Sequence, residues 1–167
     1  ICVDTTGKAD LARRAIKECL SQADFPAVKL LTNEVKEPFD VKIPTLPGIP
    51  DYSNFLIRDL HRFVETSHCL VVQWDGYIVD ATRWIPEFLH YDYIGAPWWQ
   101  WKGLVGNGGF SLRSQKLLRT LASTNFGDQP HPEDNYICHR HRKELEQLGI
   151  RYAPTELANK FAIEARQ

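Results

Sequence analysis

The sequence lacks the features that mark membrane-spanning, zinc-finger and nucleic-acid-binding proteins. It has no Cys-x-x-Cys pair, no signal peptide and no apolar run near the roughly 20 residues that span a bilayer. Its 20 basic and 21 acidic residues leave a net charge of −1, so no overall field draws it to nucleic acid or to an anionic membrane. We therefore expect no nucleic-acid partner.

Methionine is absent as well, and the chain opens inside an apolar run, Ile1-Cys2-Val3. Both features predict a piece of a longer protein, with partner domains or a membrane anchor outside it. The cysteines are widely spaced and mostly in apolar segments, which predicts reduced thiols rather than disulfides or zinc ligands. They are Cys2, Cys19, Cys69 and Cys138. Reduced thiols favour a cytoplasmic location, with any membrane association arising outside this chain.

What is present is the pattern of an α/β protein. At 167 residues, of which 43% are hydrophobic and 25% charged, the chain has the size and composition of one globular domain. Residues 1–6 and 27–32 are predicted to be strands. The helix expected between them has one apolar face, formed by Leu11, Ala12, Ala15, Ile16, Cys19 and Leu20. This strand–helix–strand order predicts parallel pairing and a single α/β domain over residues 1–167.

Further helices and strands are predicted along the rest of the chain. Residues 33–50 are rich in proline, which indicates a surface excursion with at most one short strand. A helix is expected from Asp51 or Ser53 to about Thr66, and residues 68–74, the most apolar strand, are expected at the sheet centre. The later elements are strands at 92–97, 110–113 and 150–153, a helix capped by Ser114, and a helix over 133–148.

Asp75 is the first candidate site residue. It ends the apolar strand and precedes Gly76. Ligands in open α/β sheets bind beyond the carboxyl ends of the strands, so a carboxylate there is well placed for a metal-bound phosphate. An Asp-Gly pair after a strand is also a common turn, and that alternative stays open.

A glycine-rich loop, Gly106-Asn107-Gly108-Gly109, is the second candidate. Three glycines in four residues allow the backbone to approach a ligand closely and to expose its N–H groups. The loop is not a P-loop, because no Gly-Lys-Ser/Thr follows it, and it does not fit G-x-G-x-x-G. A loop that is merely flexible is the alternative.

The third candidate is the segment from His131 to Asp134, which opens the late helix with Pro132 and two carboxylates. Acidic residues in a first helical turn are stabilised by the helix dipole, which is explanation enough for their presence. A carboxylate held there is also suited to act as a general base toward a sugar hydroxyl.

Three tryptophans, Trp98, Trp99 and Trp101, form the fourth candidate. Their ring faces are suited to stacking on a sugar, so they are predicted to contact an acceptor. The alternative is that this loop fills a hydrophobic gap.

Taken together, these segments resemble known proteins. QWDG (73–76), YDYIGAPW (91–98), GNGGFSLRS (106–114) and HPED (131–134) are similar to motifs of a bacterial and fungal family whose domain has no assigned function. The wider pattern, from Val3 to about Phe161, resembles the core of GT-A glycosyltransferases. The resemblance implies a GT-A-like (Rossmann-like) fold with a mixed, mostly parallel central sheet flanked by helices.

The resemblance also implies a donor site. GT-A enzymes usually carry Asp-x-Asp on a divalent metal, Mn²⁺ or Mg²⁺, that holds the donor diphosphate. The matching triplet here is Gln73-Trp74-Asp75, which lacks the first carboxylate and leaves Asp75 as the metal ligand. Gly108 and Gly109 would border the donor sugar. Residues expected at the nucleotide are Thr5, Thr6, Tyr52 and Ser53.

The activity implied is transfer of a sugar from a nucleotide-sugar donor, with a UDP-sugar favoured, to a hydroxyl of a glycan or other acceptor. Asp134 would be the catalytic base, with Glu133 as its neighbour, and inversion at the anomeric carbon would follow. Surface glycan or polysaccharide synthesis is the expected setting. A non-catalytic nucleotide- or sugar-binding module is the alternative. A nucleotidyltransferase is a third hypothesis. It would require basic residues near the first loop to bind phosphate, and that loop offers only Lys8.

Overall fold

A central sheet of six short strands organises the chain. The structure, a computed structural model, describes residues 1–163, so the last four positions of the predicted domain lie outside the described residues. The strands are β1 (Cys2–Asp4), β2 (Leu30–Thr32), β3 (Asp40–Lys42), β4 (His68–Val72), β5 (Tyr93–Ile94) and β6 (Phe110–Ser114). The α-helices are α1 (Ala9–Gln22), α2 (Ile49–Arg58), α3 (Gln115–Ser123), α4 (Glu133–Asn135), α5 (Arg142–Gln147) and α6 (Thr155–Phe161).

The strand order is β3-β2-β1-β4-β6-β5, and the pairs among β3, β2, β1 and β4 are parallel. β6 runs antiparallel to both β4 and β5, so the sheet is mixed. β4 lies at the centre, as its apolar sequence predicts. The predicted α/β class with a mixed, mostly parallel sheet flanked by helices in one compact domain is confirmed.

Strand alternation divides the core between the two faces of the sheet. Cys2, Leu30 and Val72 pack on the face covered by α1. Val3, Leu31 and Val71 point the other way, toward α2 and α3. All four cysteines are free and buried, which confirms the prediction of reduced thiols. Within residues 1–163, no helix is long and apolar enough to cross a membrane.

The buried face of α1 differs from the predicted one. Ala12, Ala15, Ile16 and Cys19 are buried, as predicted, but Leu11 and Leu20 are exposed. Arg13 is buried instead. Its guanidinium is 2.8 Å from the carboxylate of Asp40 in β3, so an ion pair fills a position that periodicity assigns to an apolar residue.

Helix boundaries depart from the predictions where capping and hydrogen bonding decide them. α2 begins at Ile49 rather than at Asp51 or Ser53, because Gly48 is extended and Pro50 fits the first turn. It ends at Arg58, and a 3₁₀ turn, Leu60–Phe63, replaces its predicted last turns. Ser114 caps α3 as predicted, with its hydroxyl accepting a hydrogen bond from the N–H of Leu117.

The predicted helix over 133–148 is not continuous. α4 passes into a π turn, Tyr136–Arg140, and His141 has a non-helical backbone (φ −111°, ψ 16°) before α5 begins. The predicted strand 150–153 is reduced to one bridge between Tyr93 and Tyr152. Pro154 follows and has no N–H to donate to a strand partner. Helix α6, which was not predicted, begins at the next residue.

The Arg13–Asp40 pair that joins α1 to β3 gives a test of this packing. Burial alone would raise the pKa of the Asp40 carboxyl. Hydrogen bonds from Arg13 and from the backbone N–H groups of Lys36 and Glu37 hold that pKa below its ordinary value. We expect Asp40→Asn to lower the free energy of unfolding by about 3 kcal/mol at pH 7, because the buried guanidinium loses its buried counter-charge and keeps only the exposed Asp10.

Asp10→Asn is the matched control, since Asp10 contacts the same guanidinium from an exposed position. Urea denaturation of both variants should show a much smaller loss for the control. The folded-state pKa of Asp40 lies below the unfolded one. Its contribution is therefore complete above about pH 4 and disappears as the pH falls through the folded pKa. A difference between wild type and Asp40→Asn that grows in acid would contradict this assignment.

Candidate functional site

The carboxyl ends of β1 and β4 lie at the point where the strand order reverses. β1 is followed in the chain by β2 on one side, whereas β4 lies on its other side. A crevice outside strand ends at such a point is where open α/β sheets bind ligands. Asp4 closes β1, and its buried carboxylate accepts hydrogen bonds from the N–H groups of Thr6 (2.9 Å) and Lys8 (3.2 Å).

The two threonines after β1 differ in how far their side chains are exposed to solvent. Thr5 is buried, and its hydroxyl accepts a hydrogen bond from the N–H of Leu46 at 3.0 Å. Thr6 is exposed beside the carboxylate of Asp4. Of the pair predicted to contact a nucleotide, only Thr6 presents its side chain to solvent.

The end of β4 is a tight turn. The backbone groups of Gln73 and Gly76 exchange two hydrogen bonds of 3.1 Å, so the Asp-Gly turn, one of the two interpretations of Asp75, is present. Trp74 and Asp75 are exposed at its tip. The ammonium of Lys8 lies 4.2 Å from the centre of the Trp74 ring, so the loops after β1 and β4 meet across the reversal point.

The glycine loop packs directly on this turn. A Cβ at Gly76 would lie 2.9 Å from the carbonyl oxygen of Gly109, and a Cβ at Gly109 would lie 2.5 Å from Oε1 of Gln73. A side chain at Gly76 would therefore collide with the backbone of the loop, and one at Gly109 would displace the Gln73 amide. The amide of Gln73 also donates to the phenol oxygen of Tyr52 at 2.8 Å, and desolvation raises the pKa of that phenol.

On its other side, the glycine loop packs on the acidic pair. A Cβ at Gly108 would lie 2.1 Å from Oε1 of Glu133. Arg113, in β6, donates from Nη2 to the carbonyl oxygen of Gly108 at 3.1 Å and to Oε1 of Glu133 at 3.3 Å. Arg113 has no solvent exposure, and Glu133 is buried. The loop therefore rests on a buried ion pair.

Glu133 and Asp134 are neighbours in different environments. Burial raises the pKa of the Glu133 carboxyl, against the opposing effect of the Arg113 guanidinium. Asp134 is half-buried, and its Oδ2 lies 3.4 Å from the N–H of Gly108. Its Oδ1 accepts a hydrogen bond from the N–H of Asn135. Asp134 is thus the acid of the pair with access to solvent.

A further contact ties α2 to the acidic segment. The hydroxyl of the fully buried Ser53 lies 3.0 Å from Nδ1 of His131. Ser53, which was predicted to contact a nucleotide, is therefore buried below the surface of the site and contacts His131 instead.

The tryptophans separate into different environments. Trp98 is buried in the core, against Gly106, where a Cβ would collide with the indole. Trp101 is half-buried and stacks on the ring of His139 at 4.3 Å. Trp99 is 75% exposed. The alternative, a loop that fills a hydrophobic gap, holds for Trp98, and an acceptor contact stays a prediction for Trp99.

The structure thus brings together the turn at 73–76, Tyr52, the loop at 106–109 and the acidic pair, and Trp98 packs in the core against Gly106 of that loop. Arg113 was not among the predicted site residues, and His131 lies within a candidate segment but was given no role of its own. The signal for Arg113 is a charged residue inside the apolar strand FSLRS, where only a buried partner makes it tolerable. His131 stands in the motif HPED, but its partner, Ser53, is 78 positions away in sequence.

The donor set at Asp75 does not by itself form a metal site. Within the described part of the chain, no group of three or more His, Cys, Asp or Glu side chains could hold a metal ion. Water and phosphate oxygens would have to complete the coordination of Mg²⁺ or Mn²⁺. The predicted divalent cation stays a prediction.

A large cavity lies elsewhere. It has a volume of about 920 Å³, and apolar residues of α1, the 78–89 segment and α6 line it. None of the predicted site residues takes part in its lining. Cavity size and strand-end chemistry therefore point to different parts of the molecule.

These features define an α/β domain whose first four strands have the Rossmann order and whose polar loops gather at the carboxyl ends of its central strands. The chain belongs to the family described as protein of unknown function (DUF5672), whose model matches residues 37–167. The predicted membership of a family without assigned function is thereby confirmed, and the relation to GT-A glycosyltransferases stays a prediction. No curated protein and no solved structure matches the chain.

Two neighbouring tryptophans test how this loop is assigned. We expect Trp98→Ala to lower the free energy of unfolding by about 3–5 kcal/mol, because it leaves a cavity in the core. Trp99→Ala should change it by less than about 0.5 kcal/mol, as an exposed substitution does. Urea denaturation of both proteins measures the contrast, and equal losses would show that the two environments are wrongly assigned.

Proposed function

We propose that this protein is a glycosyltransferase that moves a sugar from a nucleotide-sugar donor to an acceptor hydroxyl. The observation that carries the proposal is the continuous contact from the turn at Asp75, through Gly109 and Gly108, to Asp134. These segments are far apart in sequence, and each resembles part of a GT-A donor or base site. They lie next to one another at the carboxyl ends of the central strands, where open α/β sheets bind ligands. We place this activity in the cytoplasm, as the reduced cysteines suggest.

The donor would lie at the ends of β1 and β4. Lys8 and Trp74 offer a cation and an exposed ring there, and Asp75 offers a carboxylate. A cation favours a diphosphate, and an indole face favours a nucleobase or a sugar. Gly108 and Gly109 have no side chains, so a sugar could approach their backbone closely.

Asp134 would act as the base. The acceptor oxygen forms a bond to the anomeric carbon while the bond from that carbon to the diphosphate oxygen breaks. The proton of the acceptor hydroxyl passes to a carboxylate oxygen of Asp134, and the nucleoside diphosphate leaves with the electron pair. Attack opposite the leaving group inverts the anomeric carbon. Glu133 is unsuited to this role, since burial and its ion pair with Arg113 remove it from the acceptor.

A non-catalytic nucleotide- or sugar-binding module is the second candidate. The observation that favours it is the triplet Gln73-Trp74-Asp75, which supplies one carboxylate, together with the lack of a three-residue metal-binding group within residues 1–163. Binding would use the same strand ends, but no bond would form or break.

A thermal-shift screen tests the binding shared by both candidates. Sugar nucleotides of UDP, GDP, CMP and dTDP are added at saturating concentration, with and without Mn²⁺. We expect stabilisation by one nucleotide class, with UDP-sugars favoured, equivalent to about 2.7 kcal/mol at a concentration 100 times the Kd. Lys8→Ala should weaken the effect, and Lys143→Ala, on α5, serves as the control. No shift with any nucleotide would contradict the transferase and the nucleotide-binding module, and would leave only a module that binds free sugars.

Asp134→Asn separates transfer from binding. With the donor class found in the screen, we expect this variant to keep donor affinity and to lose about 10²–10⁴-fold in transfer rate, because the amide cannot accept the proton. Glu156→Gln, an exposed carboxylate-to-amide change in α6, should transfer at the wild-type rate. An unchanged rate in Asp134→Asn would remove Asp134 from the mechanism. Binding without transfer in the wild type would favour the module.

A further inference from the structure

The guanidinium of Arg113 sits beneath the glycine loop and reaches three different acceptors. Nε donates to the hydroxyl of Ser111 at 3.0 Å, and Nη2 donates both to the Gly108 carbonyl oxygen and to Oε1 of Glu133. Ser111 in turn donates to the same Gly108 carbonyl at 3.2 Å. The planar, rigid geometry of arginine makes this set of contacts possible, whereas a lysine ammonium is a single point on a flexible stem.

Stability alone gives little reason for this arrangement. Removing two charges from water is expensive, and buried ion pairs replaced by apolar residues of similar volume often leave a protein equally or more stable. Nη1 of Arg113 is buried without a hydrogen-bond partner among the described residues, which adds to the expense. Because burying the Arg113 guanidinium does little for stability, the groups that it holds in place are a simpler explanation for its presence.

What Arg113 holds is the peptide that faces Asp134. The carbonyl of Gly108 is fixed from below by Arg113 and Ser111, while the N–H of the same residue points to Oδ2 of Asp134. Arg113 also anchors Glu133, the residue next to Asp134 in α4. Arg113 therefore helps to fix both groups of this contact, the N–H of Gly108 and the carboxylate of Asp134.

We propose that Arg113 is a positioning residue that orients the Gly108 peptide and the start of α4 so that the carboxylate of Asp134 faces the acceptor. The proposal rests on the proposed transferase function and deepens it. Arg113 is buried and touches no substrate. It acts through the position of Asp134, and its loss should affect the chemical step more than donor binding.

The test compares Arg113→Lys, which keeps the charge but not the planar group, with the wild type. We expect kcat to fall by about 10–100-fold, as for a small misplacement of a reacting group, while donor Kd changes less than about threefold. Amide hydrogen exchange at Gly108, followed by NMR, should become faster in the variant. Arg62→Lys, at an exposed arginine paired with Asp59, is the control and should change none of these quantities.

A second variant guards against a folding defect. Arg113→Met combined with Glu133→Gln removes both charges, so no uncompensated charge stays buried. It should fold, and its Gly108 amide should again exchange faster than in the wild type. Wild-type kcat in Arg113→Lys, or unchanged exchange at Gly108 in either folded variant, would overturn the proposal. If the wild type transfers no sugar, the proposed function fails, whereas the exchange data still decide whether Arg113 fixes the Gly108 peptide.

Discussion

Two missing side chains govern the arrangement of the site. At Gly108 and Gly109, side-chain oxygens occupy the space that a Cβ would need, Oε1 of Glu133 at the first and Oε1 of Gln73 at the second. These approaches connect the end of β4 to the start of α4 through a single loop. Without them, the turn that carries Asp75 and the helix that carries Asp134 would be separate features of the surface. The spatial unity of the site therefore depends on glycine having no side chain.

Burial then gives two adjacent acids different roles. Glu133 is taken out of water and paired with Arg113, and Asp134 keeps access to solvent while its Oδ2 faces the Gly108 N–H. The first supports the loop, and the second is the proposed base. Adjacent residues of a helix start project in different directions, so one can point into the core while the other faces the crevice. The same acidic motif thus supplies a structural group and, in the proposed mechanism, the chemical one.

The sequence was sufficient for the features that local pattern determines. Strand–helix–strand order predicted the parallel half of the sheet, Ser114 was a correct cap, and the apolar strand at 68–72 is central. Errors arose where a distant partner decides. Leu20 is exposed and Arg13 buried, because Asp40, 27 positions away, neutralises the arginine.

The candidate site shows the same difference between features that local pattern determines and features that distant partners determine. Its segments could be chosen from sequence, since acidic strand ends and glycine loops have recognisable composition. Their contacts could not. Trp98 and Trp99 are adjacent and chemically identical, yet packing against Gly106 buries the first and leaves the second in water. Likewise, the π turn within 136–140 depends on how the helix packs, and hydrophobic periodicity carries no signal for it.

Binding and catalysis make unequal demands on this site. Nucleotide binding at the ends of β1 and β4 needs only the strand order, exposed polar groups and a loop that admits a ligand. Sugar transfer needs, in addition, one carboxylate held within about 3 Å of an acceptor hydroxyl in a productive complex. The contacts around Arg113 fix the peptide opposite Asp134 and lie away from the exposed groups at Lys8 and Trp74, so they bear more on the second demand than on the first. A buried, partly unpaired guanidinium is a costly way to support a loop that only has to admit a nucleotide. In the proposed transferase the same guanidinium has a second use, because it also fixes the residue beside Asp134.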